Sequence, residues 1–153
     1  MTDGGAVNNS LSDVLDDRLG THIRRISRLI IDAKAAALRP LDLTVPQYAT
    51  LLSVRHLEPT SAAQLARTGQ GTPPQATATM LSTLESKGLI SRRPSPPMHQ
   101  KLVEVRLTTL GTKVIEEADD LAAGIEAKLR AGIGEDLFDS VLRIEQIAKD
   151  LLQ

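Results

Sequence analysis

Cysteine and tryptophan are absent from this chain of 153 residues, and it has one tyrosine and one phenylalanine. Without cysteine there is no disulfide, no thiolate metal site and no thiol redox switch, which fits a reducing cytoplasm. With so few aromatics the core has to be built from Leu, Ile, Val and Ala, a set that suits helix packed on helix. No apolar run approaches the ~20 residues that span a bilayer. The first ten residues lack the basic start and apolar stretch of a secretion signal, and a disordered tail is expected there. Gly-x-Ser-x-Gly, a phosphate loop and His-Glu-x-x-His are all missing. The histidines, His22, His56 and His99, are far apart in sequence. No catalytic residue, metal or cofactor is therefore expected.

What is present is an ordinary globular composition, 41% apolar and 24% charged, in a length that suits one compact domain. The net charge of −1 hides an asymmetry. Between residues 61 and 106, Arg67, Lys87, Arg92, Arg93, Lys101 and Arg106 face only Glu85 and Glu104, a local +4 against −5 elsewhere. A basic segment in an acidic frame is the distribution of a phosphate-facing module; chance clustering on a solvated face is the alternative.

Spacings of three and four between Leu15, Leu19, Ile23, Ile26, Ile30, Ala33 and Ala37 predict one helix over 12–39, ended by Arg39-Pro40. Three short helices follow, each opened by a capping box: Thr44-Val-Pro-Gln47, Ser61-Ala-Ala-Gln64 and Thr72-Pro-Pro-Gln75. A cap is worth ~1 kcal/mol, enough to fix where a short helix starts. The first, about 45–56, is expected to bury Tyr48, Leu51, Leu52 and Val54 or the stem of Arg55. The second, 61–67, would bury Ala62, Leu65 and Ala66. The third, 72–87, stops at Gly88. Leu89–Arg93 and Leu102–Thr108 then read as a hairpin, with Val103, Val105 and Leu107 on one face and a projecting proline-rich loop between the strands. Two closing helices carry the stripes Val114, Ala118, Leu121, Ile125, Leu129 and Leu137, Val141, Ile144, Ala148, Leu151, separated at Gly132 and Gly134.

The order helix, turn, helix, hairpin holds the 72–87 helix clear of a small core, where it can enter a DNA groove. Thr77, Met80, Leu81 and Leu84 fall on its core side. Gln75, Thr79, Ser82 and Ser86 fall opposite, with Ala78 and Thr83 beside them. That outer face is small, polar and uncharged. Gln can bond adenine, Thr can bond either groove edge, and Ala or Thr methyls can touch thymine. The N-terminus of the helix offers N–H groups to a phosphate. Arg92 and Arg93 at the hairpin base, and His99, Gln100 and Lys101 near its tip, are candidates for phosphates or a minor groove. Taken singly, each of these features also reads as plain solvated surface. The terminal helices carry apolar stripes that the central module is too small to cover. A two-fold interface would cover them and would set two reading helices roughly 34 Å apart, as a palindromic site requires. A monomeric bundle is the alternative.

Leu43-Thr-Val-Pro-Gln-Tyr-Ala-Thr-Leu-Leu52, Ala63-Gln-Leu-Ala66, Thr72–Lys87 with Gly88-Leu-Ile90, and Val105-Arg-Leu-Thr108 with Gly111, in this order and spacing, resemble the MarR family of bacterial transcription regulators. The resemblance implies a mainly α fold with a small antiparallel β-hairpin: a winged helix-turn-helix with long N- and C-terminal dimerisation helices. The expected divisions are a tail over 1–10, a dimerisation helix over 11–40, the DNA-binding region over 41–108 and further dimerisation helices over 109–153. The implied function is a cytoplasmic, homodimeric repressor on palindromic double-stranded DNA, released by a small aromatic or anionic effector and independent of membranes.

By position in that family, Pro74, Gln75, Ala76 and Thr79 would lie in the major groove and His99–Lys101 at the wing tip. The candidate DNA contacts are Ser61, Pro74, Gln75, Ala76, Thr79, Ser82, Thr83, Arg92, Arg93, His99, Gln100 and Lys101. Candidate effector residues are His22, Arg25, Tyr48 and Arg55. The sequence departs from the family at Thr79, where Arg is frequent, and at Ser82, where Asp is frequent. Its loop Ser95-Pro-Pro-Met-His-Gln-Lys101 also replaces the more basic Asp-x-Arg-Arg wing. Fewer phosphate contacts should flatten the salt dependence of binding. The uncharged reading face also leaves open a regulator-like module that holds a protein partner and has weakened or lost DNA binding.

Overall fold

The computed structural model describes residues 10–68, 73–94 and 103–152. Its elements are α1 (Leu11–Asp16), α2 (Leu19–Leu38), a single 3-10 turn (Arg39–Leu41), α3 (Val45–Leu57), α4 (Ala62–Thr68), α5 (Pro74–Ser86), β1 (Ile90–Pro94), β2 (Val103–Leu107) and α6 (Thr109–Leu152). The expected class, mainly helical with one antiparallel hairpin, is the observed one.

Where the stripe predicted a single first helix, there are two. Asp17 closes α1, and Arg18 is extended (φ −101°, ψ 117°). His22 and Arg25 hold that corner: His22 Nε2 lies 2.7 Å from the Asp16 carbonyl oxygen, and Arg25 Nη1 donates to Asp16 Oδ1 at 2.7 Å. Periodicity carries no signal for a corner in which apolar spacing continues across the break.

The capping boxes fare differently. At Thr44 both halves form: Thr44 Oγ1 accepts from the Gln47 N–H at 3.3 Å, and Gln47 Oε1 accepts from the Thr44 N–H at 3.0 Å. Ser61 Oγ accepts from the Gln64 N–H at 3.3 Å. The third box opens at Thr72. Thr72 lies outside the described residues, and the N-cap is Pro73, with no side-chain cap. Pro74 at the first helical position has no N–H to satisfy, so this start needs no cap there. In the seven residues of α4, Leu65 is buried and Ala66 half-buried, while Ala62 is exposed, contrary to expectation. So short a helix touches the core along one narrow line.

The core sits where α2, α3, α5, the hairpin and the start of α6 meet. Leu38, Leu51, Val54, Leu81, Leu84 and Ile115 have no exposed surface. Burying each contributes about 2 kcal/mol. The hairpin pairs Ile90 with Leu107, Arg92 with Val105 and Pro94 with Val103. Val105 also bonds on its other side to Thr60, N–H to O at 2.8 Å and O to N–H at 3.4 Å, so β2 is held from both edges.

Beyond the core, α6 runs on to an elbow. Of the two expected break points, Gly132 stays helical and Gly134 leaves the helix at φ 75°, ψ 167°, a conformation open to glycine. Arg130 braces the elbow, donating to both Glu135 oxygens (3.0 and 2.7 Å) with its guanidinium 4.0 Å from the centre of the Phe138 ring.

One close approach fixes α6 to the hairpin. Thr108 caps the helix, its Oγ1 accepting from the Gly111 N–H at 2.9 Å and donating to the Gly88 carbonyl at 2.6 Å. A β-carbon on Gly111 would stand 1.8 Å from the Leu89 carbonyl oxygen, which is backbone and cannot rotate away. Gly111→Ala is therefore expected to destabilise the protein by about 1–3 kcal/mol or more. Gly88→Ala, which meets open space but sits at φ +70°, should lose about 1 kcal/mol. Urea unfolding midpoints check both; a Gly111→Ala protein as stable as wild type would contradict the packing.

Candidate nucleic-acid interface

The exposed face of α5 is the one expected. Thr77, Leu81 and Leu84 are buried and Met80 is half-buried, whereas Pro74, Gln75, Ala76, Ala78, Thr79 and Ser82 are exposed. Thr83, at the margin of that face, is half-buried. The hydroxyls of the face donate into the helix itself: Thr79 to the Gln75 carbonyl, Ser82 to Ala78 and Thr83 to Thr79, each at 3.1 Å. Such back-bonding turns methyls and oxygen lone pairs outward and leaves Gln75 as the long polar side chain of the first two turns. Ser61, half-buried, is spent on the cap of α4.

Arg92 and Arg93 diverge on β1. Arg93 is exposed and, among the described residues, makes no ion pair. Arg92 folds back onto α5. Its Nε and Nη2 donate to Glu85 Oε2 at 2.8 and 2.5 Å, its N–H to Glu85 Oε1 at 3.2 Å, and its Nη2 to Ser82 Oγ at 3.3 Å. These bonds hold the Glu85 carboxyl below its usual range. His99, Gln100 and Lys101 lie outside the described residues. Sequence reasoning tallied Arg92 as a surface cation and Glu85 as an opposing charge. Their seven-residue separation crosses the Gly88 turn, so no helical or strand spacing links them. Lys87 was likewise tallied as a surface cation. It ties the end of α5 to the Asp42 turn, Nζ reaching the Asp42 carbonyl oxygen at 2.5 Å and its carboxylate at 2.9 Å.

Behind the reading helix lies an open cavity of about 600 Å³. Pro46, Tyr48 and Leu52 of α3 form one wall, and Ala76, Thr77 and Met80 of α5 form the other. Of the four candidate effector residues, Tyr48 alone lines it. Arg55 lies beside Tyr48 through a shared partner: Tyr48 Oη donates to Asp119 Oδ1 at 2.8 Å, and Arg55 Nη1 is 3.6 Å from Asp119 Oδ2. Asp119 belongs to α6 and was not anticipated; only a contact map could pair it with Tyr48. His22 and Arg25 are occupied at the α1–α2 corner instead.

Burial pushes the Tyr48 phenol up to about 12, with the hydrogen bond to Asp119 and the charges of Asp119 and Glu126 adding to the effect and Arg55 opposing it. As the only tyrosine, in a chain without tryptophan, it can be titrated by its ultraviolet absorbance. The midpoint is expected near 12 rather than the ordinary ~10, and Asp119→Ala should lower it. The folded pKa is the higher one. The contribution to stability is therefore whole below pH ~10 and is lost as pH rises towards 12. A wild-type midpoint at the ordinary value would contradict the Tyr48–Asp119 contact.

Comparison with known proteins gives a family. A family model described as MarR family matches residues 43–97. HTH-type transcriptional repressors of Mycobacterium tuberculosis and Mycobacterium bovis are each 30% identical over 116 residues, spanning 76% of this chain and 82% of theirs. A variant of MarR from E. coli, solved in complex with operator DNA, superposes with a TM-score of 0.76 at 26% identity, covering 95% of this chain and 100% of that one. The transcriptional repressor CouR, solved with p-coumaroyl-CoA bound, superposes with a TM-score of 0.76 at 25% identity, covering 91% of this chain and 96% of that one. With its helix-turn-helix, its hairpin and the outward face of α5, the chain belongs to the MarR family of DNA-binding transcription regulators.

Proposed function

We propose that this protein is a homodimeric repressor that reads a palindromic operator with the outer face of α5 and carries out no catalysis. The observation that carries the reading is that face itself. Six positions from Pro74 to Ser82 are exposed and uncharged, all but Gln75 small, on a helix whose opposite side carries the buried Thr77, Leu81 and Leu84. A groove floor can approach such a surface closely, with Gln75 for adenine and the Thr79 methyl for thymine. Ser61, Pro74, Ala76, Ser82 and Thr83 border the same approach, and Arg93 with the wing residues His99, Gln100 and Lys101 supplies phosphate contacts. The relatives are named repressors, and one neighbour was solved on operator DNA.

Dimerisation is supported by apolar surface with nothing over it. Ile23 and Ile26 on α2, and Leu137, Val141 and Ile144 past the elbow of α6, are each at least 40% exposed. Patches of that kind mark interfaces, and a two-fold axis through them duplicates α5. The part of α6 that carries Ile115 and Ala118 belongs to the core, so the terminal helices serve both the module and the interface. The cavity beside Tyr48 falls within the range of small-molecule sites. Its walls combine apolar side chains with the hydroxyls of Thr50, Ser53, Thr68 and Thr77 and the phenol of Tyr48, which suits an aromatic effector with a polar substituent, and Arg55 is close by to meet an anionic group. No described helix is long and apolar enough to cross a membrane. A cytoplasmic location belongs to this reading because a transcription regulator of this family has to reach DNA.

Gel retardation on the DNA upstream of the chain's own gene tests the function. Retention should fall with salt, and Gln75→Ala should weaken operator binding about 5- to 150-fold while sparing non-specific DNA. With Thr79→Ala added, retention should be abolished. No retention on any genomic fragment at low salt would favour the protein-interaction module instead. Light scattering should give a dimer for the wild type and a monomer for the Leu137→Glu, Val141→Glu variant; a monomeric wild type would refute the interface.

A further inference from the structure

Val105 spends both its backbone groups on Thr60, at 2.8 and 3.4 Å, on the side of β2 away from β1. Its partner across the hairpin is Arg92. In an antiparallel pair, two residues opposite each other either exchange both hydrogen bonds or both turn outward. The Arg92 N–H therefore points off the free edge of β1. Such an edge group needs a partner. Glu85 provides it, and the same carboxylate takes the guanidinium through Nε and Nη2. Arg92 also reaches Ser82 Oγ, one turn earlier on α5. The Nε–Nη2 edge of the fork is thus filled by Glu85, and the second Nη2 hydrogen goes to Ser82, so neither two-nitrogen edge is left whole to meet a phosphate bidentately.

The other edge of the hairpin is finished in the same way. Leu107, which has the same parity as Val105, donates its N–H to Glu58 Oε2 at 3.0 Å. Carboxylates from α5 and from the end of α3 therefore hold the two strands in place against the helices. Arg93, one residue on, points to the opposite face of the strand and is exposed.

We infer that Arg92 is a positioning residue, which locks the hairpin to the reading helix through Glu85, and that Arg93 is the arginine of this pair that neutralises phosphate. This rests on the DNA-binding reading above. It replaces the sequence-level expectation that the two arginines act alike. The Glu85–Arg92 pair brings no net charge to the duplex. What it contributes is a fixed angle between the helix in the groove and the wing beside it, without which the two cannot engage one site together.

Four variants in the full-length protein test this on an operator fragment over a range of salt. Arg93→Ala should lower the magnitude of the salt slope by about 0.9 per protomer, as loss of one phosphate contact does. Arg92→Ala should weaken operator binding roughly three- to tenfold and leave the slope unchanged. Arg92→Lys, which keeps the charge but not the fork, should weaken it as much as Arg92→Ala. Glu85→Ala should also weaken operator binding, although it removes a negative charge from a DNA-facing helix.

In the protein without DNA, Glu85→Ala should speed hydrogen exchange at the Arg92 amide, a readout that a general loss of stability would spread over the whole hairpin instead. A fall in slope for Arg92→Ala, rescue by Arg92→Lys, or tighter binding by Glu85→Ala would each overturn the assignment and return Arg92 to the phosphate contacts. If the wild type binds no DNA at low salt, the function itself fails. Unchanged exchange at the Arg92 amide would then still refute the brace.

Discussion

A helix offered to a DNA groove must leave one whole side uncovered, and it stays folded only if the other side is held tightly. In this chain that burden falls on the buried Thr77, Leu81 and Leu84, on the side of α5 that packs against α3, α4 and the hairpin. Thirteen residues form a marginal helix in water by themselves. The buried leucines, at about 2 kcal/mol each, stabilise α5 in place of the exposed contacts it forgoes. The rest of the module follows from this demand. With no tryptophan and one phenylalanine, the core is leucine on leucine. Gly111 lets α6 approach the Leu89 backbone closely enough to close it.

Aliphatic packing fixes position more firmly than orientation, because branched side chains interdigitate without directional bonds. Direction comes from polar contacts at the rim. Lys87 ties the end of α5 to the Asp42 turn, Glu85 grips Arg92, and Glu58 takes the Leu107 amide. Each joins two elements distant in sequence, and each is partly exposed, so none adds much to global stability. Their effect is on the angles between helix, wing and turn. Those angles decide whether two protomers can meet one duplex.

What was legible in the sequence divides along the same line. Capping placed the starts of α3 and α4, periodicity placed α5 and the hairpin, and the wheel of α5 sorted its buried from its exposed residues, because those signals are local. The α1–α2 corner was missed, because a stripe of apolar residues continues through Asp17 and Arg18 while the backbone does not. The third capping box opens on Thr72, outside the described residues, and the N-cap found for α5 is Pro73, followed by Pro74, which has no N–H to satisfy. The site was half legible. Composition counted Arg92 and Lys87 as free cations, whereas both are committed within the protein. Asp119 next to Tyr48, 71 residues away along the chain, leaves no trace in any window. Charge counts name the ions and not their partners, and which cations remain free for phosphate is a question of partners.

The cavity shows how the two halves of such a regulator could be coupled. Its walls are α3 on one side and the back of α5 on the other, so Ala76 and Thr77 border the cavity from the same turn whose outer face carries Gln75 and Thr79. Tyr48, on the α3 wall, is bonded to Asp119 of α6, the helix that continues to the exposed apolar elbow. On the reading proposed for this protein, an effector seated there would touch the reading helix directly and the dimer arm through one hydrogen bond. Any preference it has for one spacing of the two α5 copies is then a preference against, or for, the operator-bound spacing. Linkage makes the effect mutual: DNA changes the affinity for the effector by the same factor that the effector changes the affinity for DNA. The interaction such an effector would meet first on the α3 wall is the bond of the Tyr48 phenol to Asp119. An effector that leaves this bond intact can shift α5 alone, whereas one that takes the phenol for itself also removes one of the two polar contacts to Asp119, the other being that of Arg55, through which α3 holds the dimer arm.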